Sequence, residues 1–125
     1  MYILGTKGLY LNVDFVDNIR NDNVHVEVEI PGEHNVYNVL AAYAVAMWSG
    51  MEKEQAIEGI SDYKASGTRQ VIKRYGDGYL YLDCFNNTEK SLRTSLKTLN
   101  DIDVDAKNRV AVVGDFLSFR RSDRG

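Results

Sequence analysis

The stretch from Asn35 to Ser49 constrains this chain more than any other, because it reads as a helix with almost no polar side. Val36, Val39, Leu40, Tyr43 and Met47 recur at helical spacing, and Ala41, Ala42, Ala44 and Ala46 fill much of the remaining circumference. A helix apolar nearly all round has to be covered on more than one side, so the pattern predicts a buried helix in a layered domain. Asn35 stands where an N-cap belongs, and Gly50 where a left-handed C-terminal cap would close the helix. A second helix follows from about Glu52, with Ala56, Ile57, Ile60 and Tyr63 as its stripe.

Two strands lead into this helical pair. Leu9, Leu11, Val13 and Phe15 alternate with Tyr10, Asn12 and Asp14, and Val24, Val26, Val28 and Ile30 alternate with His25, Glu27 and Glu29. Period 2 over seven residues predicts half-buried strands. Pro31-Gly32 ends the second. Beyond Ser66-Gly67-Thr68, which reads as a hinge, Gln70–Tyr75 and Tyr79–Asp83 are expected to be strands around Gly76-Asp77-Gly78. A third helix is expected after Asn86, with Glu89 as its capping-box partner and Leu92, Leu96 and Leu99 as its core face. The run Val110-Ala111-Val112-Val113 reads as a buried parallel strand, which would complete a right-handed βαβ unit. Such a unit alone leaves both sheet faces open, so residues 79–114 read as the start of a larger α/β domain.

Charge divides the chain at the same place. Residues 1–66 carry 4 Lys/Arg against 10 Asp/Glu, and residues 67–125 carry 11 against 8. A shift of that kind fits two structural units, 1–66 and 67–125, and a solvated face accounts for it nearly as well. The overall charge of −3 gives no reason to expect nucleic-acid binding. Tyr75, Tyr79 and Tyr81 beside Lys73 and Arg74 read as cross-strand packing and not as a base-stacking platform. The lone Cys84 rules out an intrachain disulfide and fits a reducing compartment. The longest apolar run, Val39–Trp48, is about half what a bilayer requires, and no leader pattern opens the sequence, so a cytoplasmic location is expected.

The chemistry concentrates in Pro31-Gly32-Glu33-His34-Asn35-Val36-Tyr37-Asn38, a glycine turn opening a helix with two asparagines at its start. An Asn amide sets a donor beside an acceptor, which matches the N6/N7 edge of adenine. The alternative is that Asn35 only caps the helix and Asn38 only meets water. His34 fits a structural role, and His25 lies on a polar strand face. No Cys/His cluster has metal-ligand spacing, and no nucleophile elbow is present.

This segment, running into Val39-Leu40-Ala41-Ala42, resembles the G-x-H-N-x-x-N-A-L-A-A motif of the Mur ligases. Three further segments resemble that family in the same order. Gly67-Thr68-Arg69-Gln70 is similar to the arginine motif at the junction with its C-terminal domain, and Asp83-Cys84-Phe85-Asn86-Asn87, with Ser91 after it, to the D-x-Y-N segment. Val112-Val113-Gly114-Asp115-Phe116 is similar to V-L-G-D-M. The last two forms resemble the MurF-type branch, while residues 1–30 match only loosely. The resemblance implies an α/β fold: strands and two helices from the end of the central ATP-binding domain (1–66), then the opening of a Rossmann-like C-terminal domain (67–125). It implies that Asn35 and Asn38 lie by the adenine of ATP, Arg69 near the nucleotide, Asp83 at the ribose hydroxyls, and Asn86 in that wall.

The implied parent reaction is ATP-dependent ligation of D-alanyl-D-alanine to UDP-N-acetylmuramoyl-tripeptide through an acyl phosphate. That chemistry needs a phosphate loop and Mg²⁺ ligands. The G-x-x-x-x-G-K-[ST] pattern does not occur, and Gly5-Thr6-Lys7-Gly8 reads as a hairpin turn with no helix after it. Leu117-Ser118-Phe119-Arg120-Arg121 also departs from the family's acidic continuation. The chain alone is therefore expected to lack ligase activity. Two other outcomes stay open: a non-catalytic adenine-nucleotide module, or a structural protein that dimerises over its uncovered βαβ faces.

Overall fold

A computed structural model describes residues 2–7, 9–85, 88–102 and 108–114. Strands β1 (Tyr2–Lys7), β2 (Tyr10–Asp17) and β3 (Asp22–Val28) form an antiparallel sheet in that order. The register opposes Leu11 to Val28, Val13 to Val26 and Phe15 to Val24, which puts six apolar side chains on one face. All six are buried, and Leu11, Val13 and Val26 are fully enclosed. A one-residue slip would turn the whole set to water, so the alternation fixes the pairing. On the outer face Asp14 stands opposite His25, and their side chains meet at 2.7 Å, so His25 has a carboxylate partner beyond the solvent expected for it. Lys7 pairs with Tyr10 in a hairpin, and Gly5-Thr6-Lys7 belong to β1 itself.

A single 3-10 turn, Glu33–Asn35, leads into α1 (Val36–Trp48), and α2 (Lys53–Ser61) follows. Val36, Val39, Tyr43 and Met47 are the buried face of α1, and they join the sheet's apolar face and Ala56 of α2 in one core. The Tyr43 ring meets Phe15 edge-on, with centroids 4.9 Å apart, a geometry worth about 0.5–1.5 kcal/mol beyond its area. Gly50, at φ 85, lets Met51 N–H reach Ala46 O and Gly50 N–H reach Met47 O, the two bonds of a Schellman cap. Lys53 pairs with Asp22 and Lys64 with Glu29, fastening α2 to β3 and the chain after α2 to the residue that follows β3.

The other side of α1 differs from expectation. Tyr37, Val45 and Trp48 are 73%, 63% and 90% exposed, and Ala41 and Ala44 are open as well. The described residues supply one layer against α1 and none opposite, so half of its apolar circumference faces water.

The architecture is mixed α/β, as expected, and the two strands expected around Gly76-Asp77-Gly78 form, but the expected parallel strand at 110–113 does not. Strands β4 (Val71–Tyr75) and β5 (Gly78–Leu82) form an antiparallel hairpin with Tyr75 opposite Gly78. Helix α3 (Glu89–Asp101) follows, and its capping box joins Thr88 to Ser91, in place of the expected Asn86 and Glu89. Thr88 and Ser91 exchange both bonds, at 3.1 and 2.8 Å, while Glu89 pairs with Arg93 one turn on. Residues 110–113 belong to no strand, and Val110 and Val112 are 79% and 97% exposed. A buried parallel strand needs neighbours on both edges and cover on both faces, and among the described residues β5 pairs with β4 alone. Leu96 is correspondingly exposed, and Thr98 is the buried residue of α3. No helix among the described residues is long and apolar enough to cross a membrane.

Candidate functional site

The Pro31–Asn38 segment is held by its own polar groups. Gly32 adopts φ 95 and ψ 127, a region closed to residues with a side chain, and the space its Cβ would take is filled by the His34 ring and the Thr98 hydroxyl. This conformation lets the chain leave β3 and turn into α1, with Asn35 N–H bonded to Gly32 O at 3.1 Å. Asn35 is only 2% exposed. It occupies the N-cap position, but its side chain makes no capping bond. Instead Asn35 Nδ2 donates to Pro31 O at 2.8 Å and to Gln70 Oε1 at 3.0 Å, and Asn35 Oδ1 accepts from Asn38 Nδ2 at 2.8 Å. Gln70 Nε2 in turn donates to His34 Nε2 at 2.8 Å, which requires that nitrogen to be the unprotonated acceptor of the ring.

Asn38 is exposed, so of the two asparagines it is the one a ligand can touch. Among the described residues its amide oxygen accepts no hydrogen bond and its nitrogen donates one, which leaves an acceptor and one amide hydrogen available. Arg69 is also exposed and lies over the Phe85 ring, 3.8 Å from its centroid. Cys84 N–H donates to Thr68 O at 2.8 Å. Asp83, half-buried, accepts a bond from the Ser95 hydroxyl. Asn86 lies outside the described residues, as does the Asp115-Phe116 end of the fourth motif segment.

Three of the motif segments therefore meet. Segment 31–38 is bonded to Gln70, segment 67–70 is joined to 84–85 by a backbone bond and a cation–π contact, and α3 closes on both. Lys97 bridges Glu33 at 3.1 Å and Asp101 at 2.9 Å, and those two partners hold its ammonium above the ordinary lysine range. Between α3 and the 32–37 turn lies an open cleft of about 320 Å³, lined by His34, Tyr37, Thr94, Lys97 and Asp101 among others. Beside α3, burial and then the Asp83 carboxylate push the Tyr81 hydroxyl up to about 12, and the hydroxyls of Ser95 and Thr98 only temper this. The Tyr81 oxygen is enclosed, and although Ser95 and Thr98 stand near it, no partner among the described residues meets it in full hydrogen-bond geometry. Among the described residues no group of three or more His, Cys, Asp and Glu could hold a metal ion.

The sequence pointed to Asn35, Asn38, Arg69 and Asp83. It gave no role to Thr98, or to Gln70, Ser95 and Lys97, whose partners Asn35, Asp83 and Glu33 lie 12 to 64 residues away. The nearest signal was the place of Gln70 beside the junction arginine.

No family model matches the sequence. It is 31% identical over 114 residues to the UDP-N-acetylmuramate–L-alanine ligase of Caldicellulosiruptor saccharolyticus, covering 90% of this chain and 24% of that protein. It is 30% identical over 91 residues to the UDP-N-acetylmuramoyl-tripeptide–D-alanyl-D-alanine ligase of Bacillus subtilis, covering 72% of this chain and 18% of that one. Among solved structures, MurF from Acinetobacter baumannii superposes with a TM-score of 0.67 at 22% identity, over 74% of this chain and 20% of its own. The chain thus spans about a fifth to a quarter of the length of the curated relatives it matches. These relatives carry both the L-alanine-adding and the D-alanyl-D-alanine-adding names, so the chain is similar to Mur ligases of more than one branch.

Proposed function

We propose that this chain carries the adenosine-binding side of an ATP-dependent amide ligase of peptidoglycan precursor synthesis. The observation that supports this is the meeting of the motif segments through Asn35–Gln70, Thr68–Cys84 and Arg69–Phe85. In this reading residues 1–66 end the central ATP-binding domain and residues 67–125 open the C-terminal one. Asn38 meets the amino edge of adenine, Asp83 uses its remaining lone pairs on the ribose hydroxyls, and Arg69 stands beside the nucleotide. Asn35 serves by holding Asn38, and Asn86 completes the ribose wall.

ATP supplies phosphoryl activation of a substrate carboxylate in the whole enzyme, with Mg²⁺ on its phosphates. None of the residues named here does that step, so the chain binds without turning over. For the parent reaction we favour D-alanyl-D-alanine joined to UDP-N-acetylmuramoyl-tripeptide, on the D-x-F-N and V-V-G-D-F segments. The L-alanine-adding reading is favoured by the larger number of similar relatives bearing that name. A reading as a self-associating structural protein is favoured by the open face of α1, and sedimentation over a concentration range tests it.

The deciding experiment is a thermal melt with Mg-ATP, AMP and GMP. A ligand that binds only the folded state adds about 2.7 kcal/mol at a hundredfold excess over Kd. Equal upward shifts with ATP and AMP are expected, because the site handles adenosine. A cooperative melt unmoved by either would refute the proposal.

A further inference from the structure

We propose that Gln70 is a positioning residue: through Asn35 it fixes the amide of Asn38, and so couples the backbone at the junction to the face that reads the base. For its ligand this rests on the adenosine reading above; for the relay it rests on geometry alone.

The Asn35 amide is enclosed and every leg of it is committed. Its two N–H groups go to Pro31 O and Gln70 Oε1, and its oxygen takes Asn38 Nδ2. The Pro31 carbonyl decides which end of the amide is nitrogen, and Gln70 pins the plane. Gln70 is oriented in turn by Asn35, and in that orientation its own nitrogen faces His34 Nε2, which accepts. Turned over, it would set nitrogen against nitrogen at Asn35. The last link, Asn38, thereby holds its free oxygen and its remaining N–H in one plane at the surface.

The starting link is unusual. Gln70 sits at φ 53, where residues other than glycine are uncommon, three residues after Gly67 at φ 73. Its side chain reaches Asn35 only while the junction keeps this backbone. A rotation of the 67–70 segment withdraws Gln70 and frees both asparagines. The same surface pair distinguishes purines: an acceptor beside a donor suits the N6/N7 edge of adenine, whereas guanine offers two acceptors, O6 and N7.

Three proteins test this: the unaltered chain, Gln70→Gly, which removes the side chain without opposing the positive φ, and Gln70→Glu, which keeps an acceptor for Asn35. The ligand-free readout is the NMR exchange and chemical shift of the Asn35 and Asn38 side-chain amides. Gln70→Gly is expected to speed exchange at Asn35 by tenfold or more and to move the Asn38 amide, with backbone amides of α1 unchanged. Gln70→Glu is expected to restore both amides and to change the His34 ring nitrogens, which must then donate at Nε2. An Asn38 amide unmoved in Gln70→Gly overturns the relay. AMP and GMP titrations follow, with a preference for AMP that falls at least fivefold in Gln70→Gly. If the unaltered chain binds neither nucleotide while the amides respond, the relay stands and the adenosine reading falls. If the amides respond but the preference does not, the role in base selection is overturned.

Discussion

Replacing Gly32 with alanine should be among the most damaging small changes in this protein, and the structure says by how much. The new methyl would lie 2.5 Å from His34 Cε1, 2.7 Å from His34 Nδ1 and 2.8 Å from Thr98 Oγ1. Holding a non-glycine residue at this positive φ costs about 1–3 kcal/mol, and forcing a methyl into filled space costs about 1–3 kcal/mol more. Moving the His34 ring aside breaks its bond from Gln70, a further loss of about 1 kcal/mol. The expected destabilisation is about 3–7 kcal/mol, a large part of the 5–15 kcal/mol typical of a domain. Urea unfolding followed by far-UV circular dichroism, at unchanged slope, measures it. Gly59 is the control, since it lies within α2 with nothing inside 4 Å of its Cβ position, and Gly59→Ala should stabilise by about 0.5–1 kcal/mol. The pair Gly32→Ala with His34→Ala should cost less than the sum of the two, because the second change vacates the space the first one needs. A Gly32→Ala protein within about 1 kcal/mol of the parent would refute the packing described around the turn.

The Asp17 carboxyl is pushed up by burial, but bonds from the Arg20 backbone, the Tyr43 hydroxyl, the Arg20 side chain and the Ile19 backbone outweigh this and hold it below the ordinary 3.8. A depressed folded value gives stability that is complete above about pH 4 and is lost as pH falls through it; Asp17→Asn should flatten the acid arm of a stability–pH curve, and an unchanged arm would count against the assignment. Tyr43→Phe removes the donor to Asp17 and should cost about 1–2 kcal/mol in the same unfolding assay. Tyr81, at about 12 against the ordinary 10.0, should be the last tyrosine to ionise in an ultraviolet titration. Its raised value means stability held below pH 10 and lost as pH rises towards 12, and Tyr81→Phe should abolish that loss. Trp48→Ser should leave stability within about 0.5 kcal/mol, since the ring packs on almost nothing.

Much of the first half was legible because its structure is periodic. The alternation at Leu11, Val13 and Phe15 and at Val24, Val26 and Val28 fixed both strands and the face they share, and Gly50 closed α1 as its place suggested. Exposure of Tyr37, Val45 and Trp48 was not legible, because apolarity in a sequence says that a face wants cover and not that cover is present. The same holds for Val110–Val113, where a strand depends on neighbours outside its own residues. The Thr88–Ser91 box was missed for a local reason: Asn86 and Glu89 made an equally good pattern, and a serine can replace the usual Glu at the third position. At the site, the motif residues could be named from resemblance, but their wiring could not. The Gln70–Asn35 and Lys97–Glu33 contacts join residues 35 and 64 positions apart, and no spacing rule connects them.

The open side of α1 also determines how this protein can be observed. Its one tryptophan, Trp48, is on that side and 90% exposed. The indole is already hydrated in the native state, so its emission has little room to change when the core melts, and a fluorescence-detected unfolding curve would be nearly flat. Anything that lay down on α1 would do the opposite, drying the indole and moving its emission to shorter wavelength while the core stayed intact. The chain therefore carries a built-in reporter that is blind to its folding and sensitive to its company.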